Sequence, residues 1–245
     1  MQCQIYMSSD LLMKATPKYP FGEWDKWYIE KYLETLEEFR ALIRQQPTEH
    51  KVQAFLESQP WYLLHAAMDG FYTGATSTRS TLFPKFKLGN EYETDFLFCN
   101  GSSLGLSCTF IELERPDVSL FTRRGDPTKH LAHAIRQIVN WNAWLIDNHE
   151  FALKEIARAV SPNWSWPPIL RKPFRYLIII GRRQSLNEKS NRLGVEICNM
   201  NPGLEIITYD RLCDDYGFDK LETLNADEHR TVRDYPPKEA SQIDP

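Results

Sequence analysis

Thr109-Phe110-Ile111-Glu112-Leu113-Glu114-Arg115-Pro116 is the stretch from which the rest of the chain can be read. It has the two-residue period of a β-strand, along which successive side chains point to opposite faces. Phe110, Glu112 and Glu114 therefore share one face, while Ile111 and Leu113 point into the other layer. Two carboxylates side by side at a strand end repel one another unless a cation or a proton lies between them.

Upstream, the period of two continues. Phe83–Leu88, Tyr92–Phe98 and Leu106–Leu113 read as three strands, the last two joined by the hairpin-loop residues 100–105. This pairing brings Asp95 towards Glu112 and Glu114. Three acids converging across a hairpin make an oxygen-ligand site of the kind Mg²⁺ prefers. Phosphodiester hydrolysis uses such a site: the metal polarises the phosphate and lowers the pKa of a water, and a nearby side chain orients or deprotonates that water. The competing reading of an isolated Glu-x-Glu is a pair of solvated residues on an edge strand.

Downstream, residues 128–149 read as the strongest helix, with Leu131, Ala134, Ile135, Ile138, Trp141 and Leu145 as its buried stripe. Phe174–Ile180 is a nearly continuous apolar run, the pattern of a strand buried on both faces. A helix over about 185–200 and a strand over Leu204–Tyr209 complete a strand–helix–strand unit. Towards the N-terminus, residues 23–46 read as a helix with Trp24, Trp27, Tyr28, Tyr32, Leu36, Phe39 and Ile43 at helical spacing. Pro47 breaks it, and Thr48 caps a second helix through about Ser58. Residues 1–22 read as irregular, 59–66 as a short apolar segment, 162–173 as an ordered Trp- and Pro-rich loop, and the chain after 225 as a polar tail. The domain division is an N-terminal helical segment over 1–47, an α/β domain over 48–225 and a tail over 226–245.

The 245 residues are 42% hydrophobic, enough for a sizeable core. A net charge of −4 means that nucleic-acid binding must be local. The five cysteines, with no C-x-x-C spacing, argue against a disulfide framework or structural zinc and for a reducing cytoplasm. The longest apolar stretch is far too short to span a bilayer, so no membrane partner is expected.

Glu-Tyr-Glu-Thr-Asp-Phe-Leu-Phe (91–98), Phe-Ile-Glu-Leu-Glu-Arg-Pro (110–116) and Ala-Ile-Arg-Gln-Ile-Val-Asn-Trp (134–141), in that order, resemble the nuclease domain of the Shedu anti-phage defence family. The later Ile-Ile-Ile-Gly-Arg-Arg and Ile-Ile-Thr-Tyr-Asp-Arg-Leu look like that family's downstream signatures. The resemblance covers roughly residues 50–215. It implies a PD-(D/E)XK restriction-endonuclease-like core with a central mixed sheet flanked by helices, Mg²⁺- or Mn²⁺-dependent cleavage of DNA, homo-oligomers and a role in limiting phage. Carried over by position, Asp95 and Glu112 are metal ligands, the carbonyl of Leu113 contacts the metal, and Gln137 positions phosphate or water. Glu114 stands where the family usually carries lysine. That departure keeps open an alternative, a catalytically inactive DNA-binding, sensor or assembly module with the same fold.

Other residues need weighing beside these. Arg123, Arg124 and Lys129 cluster beyond the hairpin and Arg182 follows the buried strand; all four are candidate phosphate contacts, with a solvated loop or a structural role as the alternative. His130 and His133 read as a helix-flank pair packed against aromatics, with the metal pocket as the other possibility. Glu57 is the early-helix acid and reads as exposed. Glu93 shares the strand parity of Asp95 and is the nearest substitute for it.

Overall fold

The computed structural model describes residues 5–8, 23–60, 62–63, 79–102, 105–160, 169–170 and 173–214. In chain order the elements are strand β1 (Ile5–Ser8), helices α1 (Glu23–Arg44) and α2 (Glu49–Ser58), and strands β2 (Arg79–Pro84), β3 (Lys87–Leu88), β4 (Tyr92–Glu93), β5 (Phe96–Ser102) and β6 (Gly105–Leu113). Helices α3 (Lys129–Asp147) and α4 (His149–Val160) follow, then β7 (Arg175–Ile179), α5 (Glu188–Met200), β8 (Leu204–Ile207) and the short helix α6 (Tyr209–Leu212). The segments 64–78, 161–168 and the chain after 214 lie outside the described residues, and with them most of the Trp- and Pro-rich loop, half of the 59–66 segment and the tail.

Six strands form one mixed sheet in the order β1-β2-β5-β6-β7-β8. The β1, β2, β5 and β6 pairings are antiparallel, and those of β6 with β7 and β7 with β8 are parallel. The fold is therefore α/β with a mixed central sheet flanked by helices and preceded by a helical segment. The strand that bears the acids, β6, is central and has one neighbour of each kind. Its partners Phe110↔Leu97 and Phe110↔Tyr176 set the register that carries Glu112 opposite Ile178.

Both faces of the sheet are covered. On one, Leu97, Cys99, Cys108, Phe110, Tyr176 and Ile178 join a core with Leu131, Ala134, Ile138 and Trp141 of α3 and Ala152, Ile156 and Val160 of α4. On the other, Phe96, Ile111, Leu113, Leu177 and Ile179 are at most 1% exposed. Helices α1 and α2 bury Tyr32, Leu36, Phe39, Ile43, Val52 and Leu56. Phe39 meets the ring of Tyr209 at 6.5 Å, and the Arg40 guanidinium donates to the Cys213 carbonyl at 2.7 and 2.9 Å. The side chains of Trp24, Trp27 and Tyr28 fall outside the described residues.

The structure departs from the sequence expectations in six places, one of them the expected strand Leu204–Tyr209, which ends at Ile207 because Tyr209 opens helix α6. A strand, β1, lies within 1–22. The expected strand Phe83–Leu88 ends at Pro84, which has no N–H to extend a ladder, and Lys85 turns the chain with φ +50°. The expected strand Tyr92–Phe98 is broken by a bend at Asp95 between β4 and β5, so Glu93, exposed on β4, does not share a face with Asp95. The hairpin loop shortens, because pairing continues to Ser102↔Gly105. The last difference is a second amphipathic helix, α4, which follows α3 after Asn148 and buries Ala152, Leu153 and Ile156. Gly181, directly after the β7 carbonyl ladder, has φ +63°, and a Cβ there would sit 2.4 Å from the Val118 carbonyl oxygen.

A candidate active site at the end of strand β6

The bend at Asp95 aims its carboxylate at β6. Oδ2 accepts the backbone N–H of Leu113 at 2.7 Å and Oδ1 accepts from the Lys85 ammonium at 2.6 Å. The Asp95 carbonyl is tied down as well, by the Lys85 N–H at 2.9 Å and by the Gln53 amide of α2 at 3.3 Å. Asp95 is 7% exposed and Glu112 and Glu114 are 5% each, so the three predicted acids are buried together.

Helix α3 lies across this end of the strand. His130, His133 and Gln137 stand at i, i+3 and i+7, one face of a helix, and meet Glu114 and Glu112, which stand at i and i+2 of a strand. Gln137 donates its amide to Oε1 of Glu112. The Nδ1 atoms of His130 and His133 lie 2.9 and 3.1 Å from the two oxygens of Glu114. The two imidazoles therefore partner a carboxylate; this replaces the expectation that they pack against aromatics. Behind them, the Tyr209 hydroxyl donates to the Glu114 carbonyl at 2.7 Å, and the Glu114 N–H donates to the Ile179 carbonyl at 2.9 Å.

The electrostatics are those of an anionic cluster short of positive charge. Burial, followed by the charge of Asp95, pushes the Glu112 carboxyl up to about 9; the Gln137 hydrogen bond works against this, and Glu114 and Glu49 add to it. Burial, then the charges of Asp95 and Glu114, also raises Glu49, the first residue of α2. Tyr209 is held well above its ordinary value by burial and by the same four acids. Burial alone would lower the Lys85 ammonium, but its hydrogen bond to Asp95 and that carboxylate's charge hold it above the ordinary lysine range.

Glu49, Lys85 and the roles of both histidines were not legible in the sequence. An acid in the first turn of a helix is explained by the helix dipole alone, which hides Glu49; Glu57, expected to be exposed, is half-buried and its carboxylate accepts from Gln53 at 2.7 Å. The positive φ of Lys85 left no mark in composition.

Among the described residues, no three His, Cys, Asp or Glu side chains converge as they stand in a geometry that could hold a metal ion. Asp95 has both oxygens engaged and Glu114 is shared by two rings. By chemistry the donors nevertheless fit a hard divalent cation: clustered carboxylate oxygens, where burial and then the charge of Asp95 raise the Glu112 carboxyl. Of the basic candidates, Arg123, Arg124 and Lys129 are exposed. Arg182 forms an ion pair with Asp210 through Nε and a terminal nitrogen, at 2.8–3.1 Å. Among the described residues no helix is long and apolar enough to cross a membrane.

Residues 46–213 match the family model described as Shedu protein SduA, C-terminal. No curated protein matches the chain.

Proposed function

This chain belongs to the Shedu protein SduA C-terminal family, and on that premise we propose that it is a Mg²⁺- or Mn²⁺-dependent DNA endonuclease acting in phage defence. The observation that carries this reading is the burial of Asp95, Glu112 and Glu114 together at one strand end, with Glu49 beside them raised by burial and then by the charges of Asp95 and Glu114. Asp95, Glu112 and the Leu113 carbonyl would hold the cation. When bound, it would polarise the scissile phosphate and ease deprotonation of the attacking water.

The chain's own residues do the rest. Gln137 fixes the Glu112 carboxylate in rotation. Lys85 balances the Asp95 charge and adds a cation at the cluster. Arg123, Arg124 and Lys129 supply exposed positive charge for DNA phosphates, which suits local binding by a chain of net charge −4. Homo-oligomerisation and a cytoplasmic setting belong to the same reading.

A second reading, a DNA-binding module that does not cut, is favoured by the Lys85–Asp95 ion pair, which closes one carboxylate to any ion. One experiment separates the two. Purified protein and its Glu112→Ala variant are incubated with supercoiled and linear DNA in Mg²⁺, Mn²⁺ or EDTA, with circular dichroism to confirm folding. Metal-dependent nicking or cutting, lost in the variant, supports the nuclease. DNA retained in EDTA with no product under either metal supports the binding module.

A further inference from the structure

Lys85 and Asp95 are the two ends of one excursion of the chain. The β3–β4 hairpin leaves at Lys85 and returns at Asp95, and inside that ion pair the Thr94 N–H donates to the Phe86 carbonyl at 2.9 Å. The hairpin tip reaches the far half of α3. Gly89 turns there with φ +60°, and a Cβ on it would meet the Trp144 ring at 2.9 Å. Trp144 stands at i+7 from Gln137, so it lies on the same helix face, two turns or about 10 Å further along.

A cleft of about 520 Å³ opens between this hairpin and helices α3 and α4, with Phe86, Lys87, Asn90, Trp144, Phe151 and Arg158 on its lining. That is the size of a small-ligand site. Phe151 departs from the pattern of its helix. α4 buries Leu153, Ile156 and Val160, whereas Phe151 is 53% exposed and meets the Trp144 ring at 75° rather than stacked on it. The charges around the cleft nearly balance: Glu155, also on the lining, pairs with Arg158 at 2.6 Å, and Glu93 stands opposite Lys87 across the hairpin. A half-exposed ring between balanced charges suits the uncharged part of a nucleotide, its base, better than its phosphate. Asn90 and Arg158, both exposed, supply the donors and the acceptor that a base edge pairs with.

Resting on DNA as the partner, which both readings above share, we propose that this cleft takes an unpaired nucleobase of the bound strand, stacked on Phe151 with Asn90 and Arg158 at its edge. A base inside a duplex is covered on both faces by its neighbours. The base that enters therefore comes from a single strand or is swung out of the helix. At about 3.4 Å per nucleotide of a B-form strand, the two helical turns from Gln137 to Trp144 span roughly three nucleotides. The cleft thus sets the register of the strand: the base it holds fixes which phosphate reaches the acids.

The test uses the full chain in EDTA, so that binding is read without cutting, with fluorescein-labelled oligothymidine, the same strand lacking its bases, and a blunt duplex. Melting temperatures confirm that Phe151→Leu and Phe151→Tyr fold. Phe151→Leu keeps apolar bulk but has no ring, and should bind oligothymidine about 5–150-fold more weakly than wild type. Phe151→Tyr should bind as wild type does. On the baseless strand, wild type and Phe151→Leu should bind alike. A Phe151→Leu loss confined to oligothymidine assigns the base to single-stranded DNA; an equal loss on the duplex assigns it to a base swung out of the helix. Binding by Phe151→Leu within about two-fold of wild type on both oligothymidine and duplex overturns the cleft as a base site and leaves DNA binding standing. An equal loss on the baseless strand overturns it as well. A wild type that binds none of these DNAs overturns both.

Discussion

The Lys85 ammonium sits 2.6 Å from the Asp95 carboxylate although Lys85 is ten residues upstream and its own backbone is in the left-handed region, at φ +50°. A non-glycine residue held in that region is strained, and such strain persists where the surroundings impose it. Here the Lys85 N–H donates to the Asp95 carbonyl while the side chain caps the same residue's carboxylate. Lys85 therefore occupies an oxygen that a cation would use. Lys85→Ala should tighten Mn²⁺ binding by about five-fold, equivalent to roughly 1 kcal/mol for a half-exposed ion pair. Titration calorimetry on both proteins checks this.

Glu112 links protonation to stability. Its carboxyl is raised to about 9 in the fold against about 4.5 in the unfolded chain. Between those values the native state holds a proton that the unfolded state has lost. Stability from this group is thus greatest below pH 4.5 and falls as pH climbs towards 9. The metal-free protein should melt at progressively lower temperature across that window, and Glu112→Gln, which cannot ionise, should show a flatter profile by differential scanning calorimetry.

Gln137 favours the ionised form of Glu112 by donating to it. Gln137→Ala should extend the same pH dependence to higher pH and weaken metal binding or cleavage by about 10–100-fold, the usual cost of losing a partner of a ligand. Melting at low pH, where Glu112 is protonated in both states, should be little changed.

Tyr209 ties the start of α6 to the far end of the acid strand through its buried hydroxyl on the Glu114 carbonyl. Tyr209→Phe leaves that carbonyl without this partner and should cost about 1–3 kcal/mol. For a chain of this size, each 1 kcal/mol corresponds to roughly 2–4 °C in melting temperature.

The arginines divide into two groups. Arg182→Ala unpairs Asp210, which also accepts the Arg183 N–H, and should destabilise the fold. Arg123→Ala with Arg124→Ala should leave melting unchanged and weaken DNA binding with a shallower salt dependence. Fluorescence anisotropy at two salt concentrations separates the groups.

The acid strand, the helix across it and the buried Arg175–Ile179 strand were legible because their periodicities are strong and local. The break at Pro47 and the start of α2 after Thr48 were legible from proline chemistry and the cap residue type, although the Thr48 side chain makes no capping hydrogen bond. Strand parity put Glu112 on the face of Phe110, and the hairpin pairing brought Asp95 near it. The bend at Asp95 was not legible, since the residues around it have the composition of one continuous strand; the bend is imposed by hydrogen bonds from Lys85, Gln53 and Leu113, all distant in sequence. Helix α4 was missed because its apolar positions run on from α3 without a proline or glycine between them. Glu49, Lys85 and His133 are ordinary surface residues until tertiary packing brings them to one place.

Strand β6 joins the antiparallel half of the sheet to the parallel half, and both halves count residues along it. A single codon gained or lost between Gly105 and Glu112 would leave the chain hydrophobic enough to collapse, yet would turn Leu113 towards α3 and bury Glu112 in the opposite layer. Neither neighbour could slide to compensate, because the other would hold the old alignment. In this segment, substitutions are therefore open to natural variation while length is not, and relatives should differ here in the identity of their side chains but not in the number of them.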